Sequence, residues 1–224
     1  MVVSKFDASE KYLGSEYLTL IFAKLSFVFI LLHSSIVAAT TLQKLDIDQV
    51  AKTADFIFEG EVLTREVRAE PNTGLINTYV TFLVLDVIKG DQQIKEIELK
   101  FTGGTSHGAT VKVNGLTIPQ AAEQGIYFVE STSENLINPL VGWSQGHFII
   151  KEIEGERIIH TNEHNPIIDI QSVSSIPPSI KRPNAIIEEN NDVAAGVLVD
   201  SQGEMRRQRL QVNELKSEIL EMIH

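Results

Sequence analysis

The 224-residue chain contains no cysteine. Disulfides, thiolate metal centres and a thiol nucleophile are therefore excluded. Positive charge is also scarce, with 19 Lys and Arg against 30 Asp and Glu and a net charge of −11. Binding to nucleic acid needs a basic face that displaces counterions, so nucleic acid is not an expected partner. No apolar run reaches the roughly 20 residues that a membrane helix needs. The one tryptophan, Trp143, is the only large indole anchor a binding surface could use.

What is present near the N-terminus reads as an export signal. Lys24 precedes the apolar run Leu25-Ser-Phe-Val-Phe-Ile-Leu-Leu32, and Val37 and Ala39 are small residues at the −3 and −1 positions of a cleavage site. The expected mature start is Thr40. Residues 1–39 carry Lys5, Lys11 and Lys24 against Asp7, Glu10 and Glu16, so the mature chain keeps a net charge of −11. An uncleaved signal anchor is the alternative. A cysteine-free exported chain fits a bacterial periplasm or medium better than a secretory route rich in disulfides. No membrane association is expected after cleavage.

The expected domains are a signal peptide at 1–39, a β-barrel domain at 40–162, a Pro/Asn/acidic linker at 163–203 and a C-terminal helix at 204–224. Within the barrel domain, Leu45, Val50 and Ala54 allow a short helix with Asp46 or Asp48 as its N-cap. Phe56–Arg68 reads as a strand with Phe56, Phe58 and Val62 on one face and Gly60 marking a bulge. Thr78–Ile88 is apolar on both faces: Val80, Phe82, Val84 and Ile88 on one, Tyr79, Leu83, Leu85 and Val87 on the other. Such a strand is expected to be covered on both sides. Ile97, Leu99 and Phe101 alternate with Glu96, Glu98 and Lys100, a half-buried strand. A hairpin is expected around Asn114-Gly115. Gly125–Glu130 reads as a buried strand, and Trp143–Ile153 with Glu156–Thr161 as a final hairpin about Glu154-Gly155. At the C-terminus, Val212, Leu215, Ile219, Met222 and Ile223 form an apolar helical stripe, with Asn213 as a possible cap.

Two patterns carry possible chemistry. Gly142-Trp-Ser-Gln-Gly146 matches the G-x-S-x-G nucleophile elbow, which needs a strand, a sharp turn and then a helix. His147-Phe-Ile-Ile-Lys-Glu-Ile153 is strand-like instead, so the glycines read as a bend and Trp143 as a plug. His160 and His164, four apart, could bind zinc from one helix face. Pro166 and the preceding strand speak for a loop. Lys89-Gly90 and Gly103-Gly104 are turns and not phosphate loops, and no cofactor is expected.

The run Ala54-Asp-Phe-Ile-Phe-Glu-Gly-Glu-Val62, then Tyr79-Val-Thr-Phe-Leu-Val-Leu-Asp-Val-Ile-Lys-Gly90, Ile97-Glu-Leu-Lys-Phe101 and Gly125-Ile-Tyr-Phe-Val129 resembles the netrin-like, or metalloprotease-inhibitor-like, OB-fold. Gly103-Gly104, Val113–Pro119 and Pro139–Phe148 are similar to motifs of exported bacterial proteins. The resemblance covers about residues 45–153. It implies a mainly β fold, a small antiparallel OB-like barrel with a short N-terminal helix and a C-terminal helix. Protease inhibition does not carry over, because those inhibitors depend on an N-terminal cysteine that this chain lacks.

The function expected is an exported, non-enzymatic β-barrel module binding an envelope or secreted protein or a polysaccharide. The candidate binding residues are Gly103, Gly104, Trp143 and Gln145. The alternative is a secreted hydrolase using Ser144, or a metal-dependent enzyme using His160 and His164.

Overall fold

A computed structural model describes residues 44–171, 193–200 and 209–224. The expected signal peptide, the start at Thr40 and most of the expected linker lie outside these residues. The described chain is mainly β, with one large antiparallel sheet and two helices.

Helix α1 spans Ile47–Thr53 and is capped at Asp46, as expected; Asp46 N–H donates to Gln49 Oε1 at 3.3 Å. Strands β1 (Phe56–Ala69), β2 (Ile76–Lys89), β3 (Glu96–Thr102), β4 (Gly104–Ser106), β5 (Ala109–Val111) and β6 (Gln124–Val129) follow. A 3₁₀ turn at Trp143–Gly146 leads into β7 (His147–Ile153) and β8 (Glu156–Thr161). Strands β9 (Ile167–Ile170) and β10 (Val197–Val199) and helix α2 (Val212–Ile223) complete the chain.

The main sheet runs β3-β2-β1-β6-β7-β8. No pairing joins β3 to β8 among the described residues, so closure into a barrel is not among the observed contacts. The β8 edge is instead met by residues 209–211: Ile159 N–H donates to Leu210 O at 3.0 Å, and Ile158 bridges Gln211.

Both faces of the sheet carry a core. On one face Phe56, Phe58, Val62, Val80, Phe82, Leu99, Phe101, Tyr127 and Leu140 pack together, with Leu116 and Ile118 against them. On the other, Ile57, Ile126, Phe128, Phe148, Ile150 and Ile159 meet Ile47 and Val50 of α1 and Leu215 and Ile219 of α2. Leu215 and Ile219 are fully buried. Each such side chain contributes roughly 1.5–3 kcal/mol, more than a 12-residue helix supplies by itself. The apolar stripe therefore docks, and the helix is capped at Gln211, whose N–H donates to Glu214 Oε2 at 2.9 Å, not at Asn213.

The strand β2 expectation needs correction. The β1–β2 register skips Ile88, Leu85 and Leu63. The skip at Ile88 places it in the helix-side core, while Val87 packs with the aromatic core. Leu85 and Leu63 are 46% and 43% exposed. The helices cover only the Ile57 end of the sheet, so the strand is not buried on both sides along its length. Gly60 is required at its skip, because a Cβ there would lie 2.6 Å from Phe58 Cε2 and 2.9 Å from Leu83 O.

Two loop expectations are also corrected. The hairpin forms not at Asn114-Gly115 but one turn earlier, where His107 and Gly108 take positive φ between β4 and β5. Leu116 and Ile118 are drawn onto the aromatic core, which turns residues 112–123 into a strap rather than a second strand pair. The stretch 163–203, expected as linker, contains β9 and β10, which pair and bury Ile167, Ile170 and Val197.

Candidate functional site

Gly103 and Gly104 sit where β3 hands over to the β4–β5 hairpin, both at positive φ. Thr78 Oγ1 donates to Gly103 O at 2.7 Å, and Gly103 N–H donates to Ile76 O at 2.8 Å. A Cβ on Gly104 would lie 2.7 Å from Thr78 Oγ1, so the glycine lets the hairpin press onto β2 and β1. Beyond this fixed base, Thr105, His107, Gly108, Ala109 and Thr110 are exposed. Thr105 and Thr110 share a hydrogen bond at 3.0 Å, and Ser106 Oγ meets His107 Nδ1 at 2.9 Å.

Trp143 and Gln145 belong to a different part of the sheet, the 3₁₀ turn against β6 and β7. Gly142 and Trp143 have φ of 57° and 61°, which makes the turn where a continuous strand was expected from Trp143. Trp143 is half-buried, whereas Gln145 is buried. Gln145 Oε1 accepts from Leu45 N–H at 2.8 Å and its Nε2 donates to Gly142 O at 3.3 Å, tying the approach to α1 onto the turn. The four candidate binding residues are thus attached to different strands, and Gln145 faces inward.

Ser144 is buried on the same turn, and β7, not a helix, follows it. No histidine among the described residues hydrogen-bonds to its hydroxyl; the nearest in sequence, His147, is engaged by Glu123. Among the described residues neither a histidine base nor a helix N-terminus following the serine accompanies this hydroxyl, the two features a nucleophile elbow needs. A fluorophosphonate probe is therefore expected to leave the protein unlabelled. Stoichiometric labelling that disappears in Ser144→Ala would overturn this.

His160 lies buried on β8, where its Nδ1 donates to Ile158 O at 3.2 Å. Burial pushes its imidazole below the usual histidine value, and Lys151, Arg209 and His164 push the same way. His164 is in the following turn at φ 69°. The two do not share a helix face, and among the described residues no three His, Asp or Glu groups converge as a metal site.

A polar cluster that sequence reading missed sits at the edge of the aromatic core. Glu123 ends the strap, His147 opens β7 and Tyr127 lies between them on β6. His147 Nε2 is 2.8 Å from Glu123 Oε1, the Tyr127 hydroxyl donates to the same oxygen at 3.4 Å, and the two rings stack at 5.1 Å. His147 is 1% exposed and its Nδ1 has no partner among the described residues. Burial works to raise the Glu123 carboxyl. The hydrogen bond and charge of His147, with Gln120 N–H and Tyr127, outweigh it and hold the group below the ordinary 4.5. Burial and the adjacent carboxylate push the Tyr127 phenol well above its ordinary value, keeping it a donor. Because Glu123 has a lower pKa folded than unfolded, its contribution is present above the ordinary glutamate pKa and is lost as pH falls through the folded value. Glu123→Gln is expected to flatten the loss of stability below about pH 5, measured by urea denaturation across pH. An unchanged acid limb would refute this assignment. A Glu at the end of a loop and a His opening a strand carry no periodic signal, which is why the sequence did not pair them.

The second missed group joins α2 to the sheet. Glu59, on the helix-covered face and opposite Ile126, pairs with Arg157 and Lys216, and Lys216 reaches Asp86 at 2.8 Å. Burial alone would lower the Lys216 ammonium, but hydrogen bonds to Asp86 and Glu59 hold it above the ordinary lysine value.

These features define a mainly β protein with an antiparallel sheet, two docked helices and structural polar clusters. Comparison with family models, with curated proteins and with solved structures finds no match.

Proposed function

We propose that the chain is an exported, non-enzymatic binding module of OB-like, netrin-like character that engages an envelope or secreted protein or polysaccharide. The observation carrying this reading is the β4–β5 hairpin. Its base is fixed by Gly103, Gly104 and Thr78, while the hydroxyls of Thr105, Ser106 and Thr110 and the His107 imidazole lie along an outward-facing tip. A rigid base with exposed donors and acceptors loses little entropy on binding, and its chemistry suits the hydroxyls of a polysaccharide best. OB-type barrels bind through the strand face and loops in a comparable way.

The test is binding of the full chain to fractionated envelope polysaccharides and to secreted proteins. Thr105→Ala with His107→Ala is expected to weaken binding about tenfold, with unchanged melting. Binding equal to the parent chain would sink the hairpin reading. Export is tested separately: the protein recovered from cells is expected to begin at Thr40, read by N-terminal sequencing. An intact N-terminus held in the membrane would refute cleavage.

A further inference from the structure

The outer half of β1 has an open edge. Pairing with β6 ends at Glu61, and Val62 closes it by donating to Glu123 O at 2.9 Å and accepting from Ala122 N–H at 3.0 Å. From Thr64 to Ala69 the strand pairs with β2 on one side and with no other described strand on the other. Residues 63–69 are all exposed, including Leu63 at 43% and Val67 at 38%. An unpaired edge of this length presents backbone donors and acceptors to any strand that fits.

We propose that this edge pairs antiparallel with the same edge of a second copy of the chain, about a two-fold axis at Val67. Symmetry restricts the choice. A two-fold axis perpendicular to the sheet keeps opposed side chains on one face only if one residue opposes its own copy. Centring on Arg65, Glu66 or Arg68 would set a charge directly against its like, which is destabilising. Centring on Thr64 would run the partner into the Val62 junction with the strap. Centring on Ala69 would carry the partner past the last residue of β1. Centring on Val67 sets Val67 against Val67 and Arg65 against Ala69. It also sets Glu66 against Arg68 twice. Within one chain the Arg68 guanidinium meets Glu66 at 2.5 Å, stacks 4.2 Å over Tyr79 of β2 and reaches Glu98 of β3 at 3.3 Å, so Glu66 and Arg68 share one sheet face and the partner's pair would extend that network from the open edge. The charges that would repel a mismatched, like-charged strand thus complement each other in this register. The two six-stranded sheets would become one continuous sheet. This proposal is independent of the hairpin reading above.

The chain's lack of cysteine makes the register directly readable. Val67→Cys in the full chain is expected to give a disulfide-linked dimer under mild oxidation, because directly opposed residues place Cβ atoms about 4.5–5.5 Å apart. Ile137→Cys, which is 56% exposed but lies off this edge, is expected to stay monomeric. Sedimentation equilibrium of the cysteine-free chain is expected to show monomer and dimer in concentration-dependent exchange. Glu66→Arg alone opposes Arg to Arg, and Arg68→Glu alone opposes Glu to Glu; each is expected to weaken dimerisation about tenfold or more. An equimolar mixture of the two variants is expected to restore it as a heterodimer. A chain monomeric at all concentrations, a dimer indifferent to both reversals, a mixture that fails to recover, or equal cross-linking at Val67→Cys and Ile137→Cys would each overturn the proposal. Thermal melts of each variant separate misfolding from lost pairing. Should the reversals not fold, the cross-linking arm decides alone.

Discussion

Phe82→Ala is expected to destabilise the protein by about 3–5 kcal/mol, the range for removing a large aromatic from a packed core. Phe82 is fully buried, with its ring 4.6 Å from Tyr127 and 5.6 Å from Phe58, both edge-on. These neighbours come from two other strands, β1 and β6, so no local collapse of β2 can refill the space. For a chain of this size the melting temperature is expected to fall by roughly 6–20 °C. Leu85→Ala, three residues along the same strand at a skipped, 46% exposed position, is expected to change stability by no more than about 0.5 kcal/mol. Chemical denaturation of the pair checks both values. A Phe82→Ala variant melting within a degree or two of the parent would mean that the aromatic core is assigned to the wrong strand face.

Lys216→Met is expected to cost about 1.5–3 kcal/mol, the range for a hydrogen bond to a charged group left with a buried partner. The Glu59 carboxylate is 5% exposed, and the Lys216 ammonium reaches it from α2 while also holding Asp86. Arg157 remains beside Glu59 after the change, which keeps the loss below that of a fully orphaned charge. Adding Glu59→Met is expected to recover part of the loss, since an apolar pair in the same place leaves no buried charge and Arg157 is 42% exposed to water. The sign with pH follows from the raised Lys216 pKa. Its contribution is complete below the ordinary lysine value and is lost as pH rises through the higher folded value. The double-mutant cycle, followed by urea denaturation at neutral and alkaline pH, measures the coupling. Additive single and double changes would show that α2 is held by its apolar stripe alone.

The strands β1, β2, β3, β6, β7 and β8 and both helices were legible in the residues, because each carries the period its burial demands: Ile97, Leu99 and Phe101 at two, Leu215, Ile219 and Met222 near three and a half. The bend at Gly142–Gly146 without a following helix was legible too, since β-branched and aromatic residues follow it. Composition by itself removed thiol chemistry and disfavoured nucleic acid.

Other features were decided only by tertiary structure, for one physical reason: they depend on which residues the register and the loops bring opposite one another. The skips at Leu63, Leu85 and Ile88 shift each later side chain to the other face, and a one-residue shift leaves no mark in local periodicity. The strap at residues 112–123 is set by the aromatic core that Leu116 and Ile118 meet, not by the Asn114-Gly115 turn they flank. Glu123 with His147 and Glu59 with Lys216 are separated by 24 and 157 positions, and a charge pair at such distance has no local signature. Local sequence fixes which segments extend or coil, because backbone and side-chain preferences act over a few residues. Long-range packing fixes their partners, because burial and charge pairing are satisfied only once distant segments meet.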